Sequence, residues 1–279
     1  PGKTLGVVGE SGSGKSTLAR CLLFLERADS GQIIFDGVDI LSMDRNGRLK
    51  LRDHMKKLRR QMQIIFQDPY SSLNPRMNVR DIIAEPLRFH GIVRNPAEMK
   101  AKVMEVLNEV GLNKDFLNKY PHEMSGGQRQ RVAIGRALAT GPSLLIADEP
   151  VSSLDVSIQA QIINLFLDIR QKTNIAMIFV SHDLNIVRFI SDNILVLYRG
   201  KVVETGTRDQ VFLSPLHPYT KMLIAASQGK FSLNKEPPTG NDGEGCPFYE
   251  KCDERNVACR RSLPELTGDG GHRAACFLK

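Results

Sequence analysis

Apolar residues fall along this chain in short dense blocks separated by stretches of helical spacing. Leu5-Gly6-Val7-Val8 is an apolar run suited to a buried strand, followed by a glycine-rich turn and a helix from residue 15 to about 25. Residues 32–35 predict a strand that turns at Asp36-Gly37. Leu51, Met55, Leu58 and Met62 recur at helical spacing in a basic segment, which predicts a surface helix, and residues 63–66 predict another strand. From about 68 to 138 the pattern is helical, with residues 97–110 stopped by Gly111 and residues 127–139 stopped by Gly141-Pro142. Strands at 144–147, 176–180 and 194–198 then alternate with helices at 157–172 and 184–190, and Arg199-Gly200 turns a hairpin into 201–204. Apolar strands alternating with amphipathic helices predict a parallel sheet covered on both faces.

Composition narrows this little. With 279 residues, 41% of them hydrophobic, a sizeable core is possible. No run approaches the ~18 apolar residues of a membrane span, and the polar, glycine-rich front carries no secretory leader. The chain starts at Pro1, close to its first strand, and reads as incomplete at that end. The net charge of +7 raises nucleic acid as a partner. Apart from residues 48–60 the Lys and Arg positions are scattered, with no aromatic residues interleaved. A solvated helix face or an anionic membrane surface is the expected reading, and no nucleic acid is expected. Cys21, among Leu18, Leu22 and Leu25, is expected in the core.

The turn after the first strand carries chemistry. Gly9-Glu10-Ser11-Gly12-Ser13-Gly14-Lys15-Ser16 fits G-x-x-x-x-G-K-[ST] between a strand and a helix, as that motif requires. Glycines let backbone N–H groups converge on phosphate oxygens at a helix N-terminus. Lys15 supplies a point charge to the β- and γ-phosphates, the Ser16 hydroxyl suits Mg²⁺, and Thr17 completes the nucleotide-binding run. Leu144-Leu145-Ile146-Ala147 ends in Asp148 and Glu149. Acids at a strand's carboxyl end suit holding Mg²⁺ (Asp148) and polarising an attacking water (Glu149). Either element alone has a plain alternative, a glycine turn or two solvated acids.

Met124-Ser125-Gly126-Gly127-Gln128-Arg129-Gln130-Arg131 discriminates among nucleoside triphosphatases. Here the chain resembles the ATP-binding cassette (ABC) family, whose signature is Ser-Gly-Gly-Gln. The resemblance implies a P-loop α/β core with an inserted helical subdomain. It also implies that Ser125, Gly126, Gly127 and Gln128 face the γ-phosphate held by a second, homologous ATPase subunit. Gln67, after Ile64-Ile65-Phe66, matches the glutamine that senses Mg²⁺ and water; Ser152-Ser153-Leu154-Asp155 matches the D-loop that crosses the dimer interface. His182, after Phe179-Val180-Ser181, matches the histidine that touches the γ-phosphate. By this resemblance Glu149, His182, Gln67 and Lys15 are catalytic, and Ser16, Gln67 and Asp148 serve Mg²⁺. The family's adenine-stacking aromatic and part of its N-terminal β-subdomain are expected to be absent.

Gln67-Asp68-Pro69-Tyr70-Ser71-Ser72-Leu73-Asn74-Pro75-Arg76, Ala147-Asp148-Glu149-Pro150-Val151-Ser152 and Pro215-Leu216-His217-Pro218-Tyr219-Thr220 resemble the oligopeptide and dipeptide permease branch. That implies uptake of peptides, with nickel, glutathione or another small solute, or a soluble ABC ATPase without a transport role, as alternatives. It implies two transmembrane permease subunits, an extracytoplasmic solute-binding protein and a peripheral place on the cytoplasmic face of the cell (inner) membrane. The expected domains are an ATPase at 1–226, with its helical subdomain at 68–140, a Gly-, Pro-, Asn- and Lys-rich linker at 227–245, and a cysteine-bearing tail at 246–279. Cys246, Cys252, Cys259 and Cys276 can hold a [4Fe–4S] cluster, as some members of that branch do, or simply pack a small tail. Zinc stands behind both, because paired spacing is lacking.

Overall fold

A computed structural model describes residues 1–41, 48–229 and 245–278, with residues 48–54 described by backbone alone. Most of the expected linker, residues 230–244, lies outside the described residues, as does Lys279 at the end of the expected tail. The strands are β1 (Thr4–Val8), β2 (Ile34–Phe35), β3 (Val38–Asp39), β4 (Met62–Ile65), β5 (Leu144–Asp148), β6 (Ala176–Val180), β7 (Asn193–Tyr198), β8 (Lys201–Thr207) and β9 (Arg273–Ala274). The α-helices are α1 (Lys15–Leu22), α2 (Arg48–Gln61), α3 (Pro69–Ser72), α4 (Val79–Phe89), α5 (Pro96–Glu109) and α6 (Gly126–Leu138), then α7 (Val156–Thr173), α8 (Leu184–Ile190), α9 (Arg208–Leu213), α10 (Pro218–Ser227) and α11 (Val257–Arg261). Among the described residues no helix is long and apolar enough to cross a membrane.

The chain divides into two compact units, Pro1–Gly2 with Thr17–Met177 and Lys3–Ser16 with Ile178–Lys279. In the first, β4 and β5 pair in parallel, Met62 opposite Leu144 and Ile65 opposite Ala147. The helices between these strands are organised by α6, which packs against α3, α4, α5, α7 and β4. Val132, Ile134 and Ala137 of α6 are buried for that reason. Asn174 closes α7 in the left-handed conformation, φ 54°, which asparagine tolerates better than most residues.

In the second unit the strand order is β6-β1-β7-β8-β9. β1 runs parallel to β7, Leu5 opposite Asn193 and Val8 opposite Val196. Asp192 fixes the start of β1, because Thr4 N–H donates to its carboxylate at 2.7 Å and its own N–H donates to the Thr4 carbonyl at 2.9 Å. β7 and β8 form an antiparallel hairpin through Arg199 and Gly200, both at positive φ (46° and 75°), as a two-residue turn of matching twist requires.

Three expectations need correcting. α1 ends at Leu22, short of Leu25, because Phe24 takes φ 56° and the N–H of Leu25 folds back to the Arg20 carbonyl. Cys21 is therefore half-buried instead of in the core. Met62 leaves its helical row to open β4, since pairing with Leu144 outweighs local period.

Buried polar groups tie the second unit's C-terminal part to its sheet. Glu204 of β8, with 0% exposure, accepts from the N–H groups of Leu216 (2.9 Å) and His217 (2.8 Å) and sits 2.8 Å from His272 Nε2. His217 then caps α10, its Nδ1 accepting the Tyr219 N–H at 3.0 Å. Burial pushes the His217 pKa down to about 4, opposed by the nearby Glu204 carboxylate. A histidine buried neutral binds its proton more readily when unfolded, so stability is full above about 6.5 and is lost as pH falls towards 4. The expected loss is about 3 kcal/mol across that window. Thermal midpoints measured from pH 7 to pH 4 should show it, and His217→Asn, which retains a capping side chain, should flatten the profile.

Candidate active site

The phosphate loop leaves the end of β1, and its second-unit residues form a braced ring. A Cβ on Gly9 would fall on the Leu197 carbonyl oxygen of β7, so only glycine fits there. Lys15 is buried (5% exposure), and its ammonium donates to the Gly9 carbonyl at 2.9 Å and the Glu10 carbonyl at 2.8 Å. Ser13 N–H donates to the Glu10 carbonyl at 3.1 Å, and Gly200 N–H from the β7–β8 turn donates to the Ser13 carbonyl at 2.9 Å. Glu10 N–H donates to the Tyr219 hydroxyl at 2.9 Å. Ser181 N–H donates to the Val7 carbonyl at 3.2 Å, so the chain leaves β6 beside the end of β1. His182 follows on the surface, just before Asp183 caps α8 through the N–H groups of Asn185 and Ile186.

In the first unit, β5 delivers Asp148 buried at its carboxyl end (5% exposure). Glu149 comes next with φ 46°, a left-handed conformation that costs a non-glycine residue about 1–3 kcal/mol and clusters at functional positions. Its carboxylate accepts from Gln67 Nε2 at 3.2 Å, so two predicted catalytic residues 82 positions apart meet here. The Ser152 hydroxyl donates to the Glu149 carbonyl at 3.1 Å, tightening the turn into the predicted D-loop. Gln159 of α7, unnoticed as one more polar helix residue, donates through Nε2 to the carbonyls of Val151 and Leu154, both at 3.0 Å. Ser153 and Asp155 lie on either side of Leu154 in the segment thus held.

Ser125 caps α6. Its hydroxyl accepts the Gln128 N–H at 3.3 Å while Gln128 Oε1 accepts the Ser125 N–H at 3.0 Å, a reciprocal box that sets the helix entry. Gly127 lies against Ile158, where a Cβ would be 2.5 Å from a stiff branched methyl. The segment after Gln67 is fastened to the same helix. Asp68 caps α3, and the Tyr70 N–H it accepts, with weaker help from Ser71 and Arg129, holds its carboxyl below the usual range. Arg136 Nη1 donates to the Ser72 carbonyl at 2.6 Å, and the Arg129 guanidinium lies 5.3 Å from the Tyr70 ring centre. Arg136 carries no local sequence signal, because nothing around it marks a partner 64 residues away.

Among the described residues no group of three or more His, Cys, Asp or Glu side chains is placed to hold a metal ion, so the expected [4Fe–4S] cluster finds no support. Cys246, Cys252 and Cys259 are buried and Cys276 half-buried. Burial pushes the Cys246 and Cys252 thiols up, and the neighbouring tail cysteines add to the rise.

Comparison with known proteins places this arrangement. A family profile described as ABC transporter matches residues 1–152, and one described as oligopeptide/dipeptide transporter, C-terminal region, matches residues 203–259. The chain is 43% identical to the oligopeptide transport ATP-binding protein AppF of Bacillus subtilis (strain 168), over 99% of this chain and 86% of that protein. It is also 43% identical to the dipeptide transport ATP-binding protein DppF of Escherichia coli (strain K12), over 99% and 83%. A dimeric post-hydrolysis structure of the ATP-binding cassette MJ0796, bound to ADP and Pi, matches with TM-score 0.65 and 29% identity over 74% of this chain and 86% of that one. The chain belongs to the ATP-binding proteins of the ABC transporter family, ATPases whose hydrolysis is coupled to transport.

Proposed function

We propose that this chain is the ATP-hydrolysing subunit of an importer of oligopeptides or dipeptides, peripheral at the cytoplasmic face of the cell membrane. Its partners on this reading are a second, homologous ATPase subunit, two transmembrane permeases and an extracytoplasmic solute-binding protein. The names of its relatives, peptide transport ATP-binding proteins, support the cargo. The dimeric cassette matched by its fold supports the pairing.

One observation carries the catalytic reading. Glu149 is held in a strained left-handed turn beyond a buried aspartate, with Gln67 bonded to its carboxylate. A carboxylate so held can take a proton from a water as that water attacks phosphorus, and Gln67 orients both. Lys15 and the amides of residues 9–17 bind the phosphates, and His182 contacts the γ-phosphate. Ser125, Gly126, Gly127 and Gln128 present a capped helix N-terminus to the nucleotide of the partner subunit, while residues 152–155 follow the interface. Ser16, Gln67 and Asp148 carry hard oxygen donors of the kind that suits Mg²⁺. When bound, that ion supplies positive charge against the phosphates.

The cargo is tested by reconstitution with candidate permease subunits and a solute-binding protein from the same organism. Di- or oligopeptides are expected to stimulate ATP hydrolysis several-fold. Stimulation by nickel or glutathione without any by peptides would overturn the peptide reading and leave the ATPase assignment standing.

A further inference from the structure

We propose that Tyr219 is a positioning residue for nucleotide binding: its hydroxyl fixes the Gly9–Glu10 peptide and, through that peptide, the Lys15 ammonium. The proposal rests on the phosphate-loop reading above. One planar peptide unit is gripped from both edges. Its N–H, on Glu10, donates to Tyr219 Oη at 2.9 Å, and its C=O, on Gly9, accepts from Lys15 Nζ at 2.9 Å. In a trans peptide these two groups point in opposite directions, so one cannot turn without turning the other. If the tyrosine bond is lost the peptide is free to rotate, and the carbonyl that aims the ammonium moves with it.

The hydroxyl is itself held with little freedom. Tyr219 has 0% exposure, and its ring packs at 4.4 Å on Tyr198 and 5.5 Å on Phe248 between ring centres. Its backbone is set by His217, which caps α10 and is in turn held by Glu204 of β8. Phenylalanine would fill the same apolar slot. A buried hydroxyl is costly unless it is hydrogen-bonded, and here the bond it makes is to the phosphate loop. Burial also pushes the Tyr219 phenol well above its ordinary range, so it stays neutral at working pH.

The test is a double-mutant cycle on Mg·ATP binding by the full chain, using wild type, Tyr219→Phe, Lys15→Ala and the double variant. Tyr219→Phe is expected to weaken binding about 5-fold in the wild-type background, the scale of one hydrogen bond. With Lys15 already removed the same change should cost less than about twofold, because its target is gone. Equal weakening in both backgrounds would mean the hydroxyl only supports the fold, and would overturn the proposal; so would no weakening beside Lys15. In the assembled transporter KM for ATP should rise by the same factor with kcat within about twofold; a fall in kcat at unchanged KM overturns it. Hydrogen exchange of the Glu10 amide in the unaltered protein, without nucleotide, should be slow, and free exchange there would refute the bond independently of any variant. Absence of ATP binding by the wild type would instead remove the phosphate-loop reading, and this role with it.

Discussion

Glu149→Gln is expected to bind ATP within about threefold of wild type and to lose hydrolysis by about 10²–10⁴-fold, the usual contribution of a positioned general base. The substitution is chosen for what it leaves alone. The amide has the carboxylate's shape, keeps an oxygen able to accept from Gln67 Nε2, and leaves the φ of 46° to be borne by an equally long side chain. The phosphate loop, which carries binding, is untouched. A large kinetic loss with an unchanged thermal midpoint therefore reports the missing proton acceptor. ATP turnover at the wild-type rate in the assembled transporter would refute the base assignment. Loss of ATP binding equal to the loss of turnover would show that the side chain serves the site's structure.

The second large effect concerns Glu204. Glu204→Ala removes the acceptor for the N–H groups of Leu216 and His217 and the group facing His272 Nε2, all where water is excluded. Removing one member of such a buried set costs about 3–5 kcal/mol, because the remaining polar groups stay desolvated. For a chain of 279 residues that lowers the thermal midpoint by about 5–9 °C. Ala274 of β9 sits opposite Glu204, so the tail should also become sensitive to limited proteolysis before the rest of the chain. Glu204→Gln, retaining an acceptor, should cost clearly less. A midpoint within about 2 °C of wild type for Glu204→Ala would refute the network's role.

How much of this could be read in advance follows from how far apart the interacting residues lie. The loop at residues 9–16 and the acids after β5 are contiguous patterns whose meaning depends on the strand before and the helix after, so they were legible. The capping box of Ser125 and Gln128 is equally local. Glu149's left-handed backbone was not legible, since a glutamate has no intrinsic preference for it and the neighbouring turn imposes it. Nor were the bonds from Arg136 to Ser72, 64 positions away, and from Tyr219 to Glu10, 209 positions away. Such pairs depend on which elements pack together, and neither partner's own surroundings announce it. The misplaced Met62 has the same origin: a helical repeat ran on one residue into a strand whose partner is 82 positions further along.

The braced ring of the phosphate loop has a consequence for selectivity towards ions. A peptide loop presents oxygens as readily as amide hydrogens, and a loop lined with oxygens would repel phosphate and attract cations. Here the carbonyls of Gly9, Glu10 and Ser13 are each engaged by a donor from the protein itself, Lys15 for the first two and Gly200 for the third. The oxygens are thus occupied before any ligand arrives, which biases the loop towards anions in addition to the charge that Lys15 itself brings. A turn between two strands, carrying no catalytic group, thereby takes part in deciding the sign of what the loop will accept.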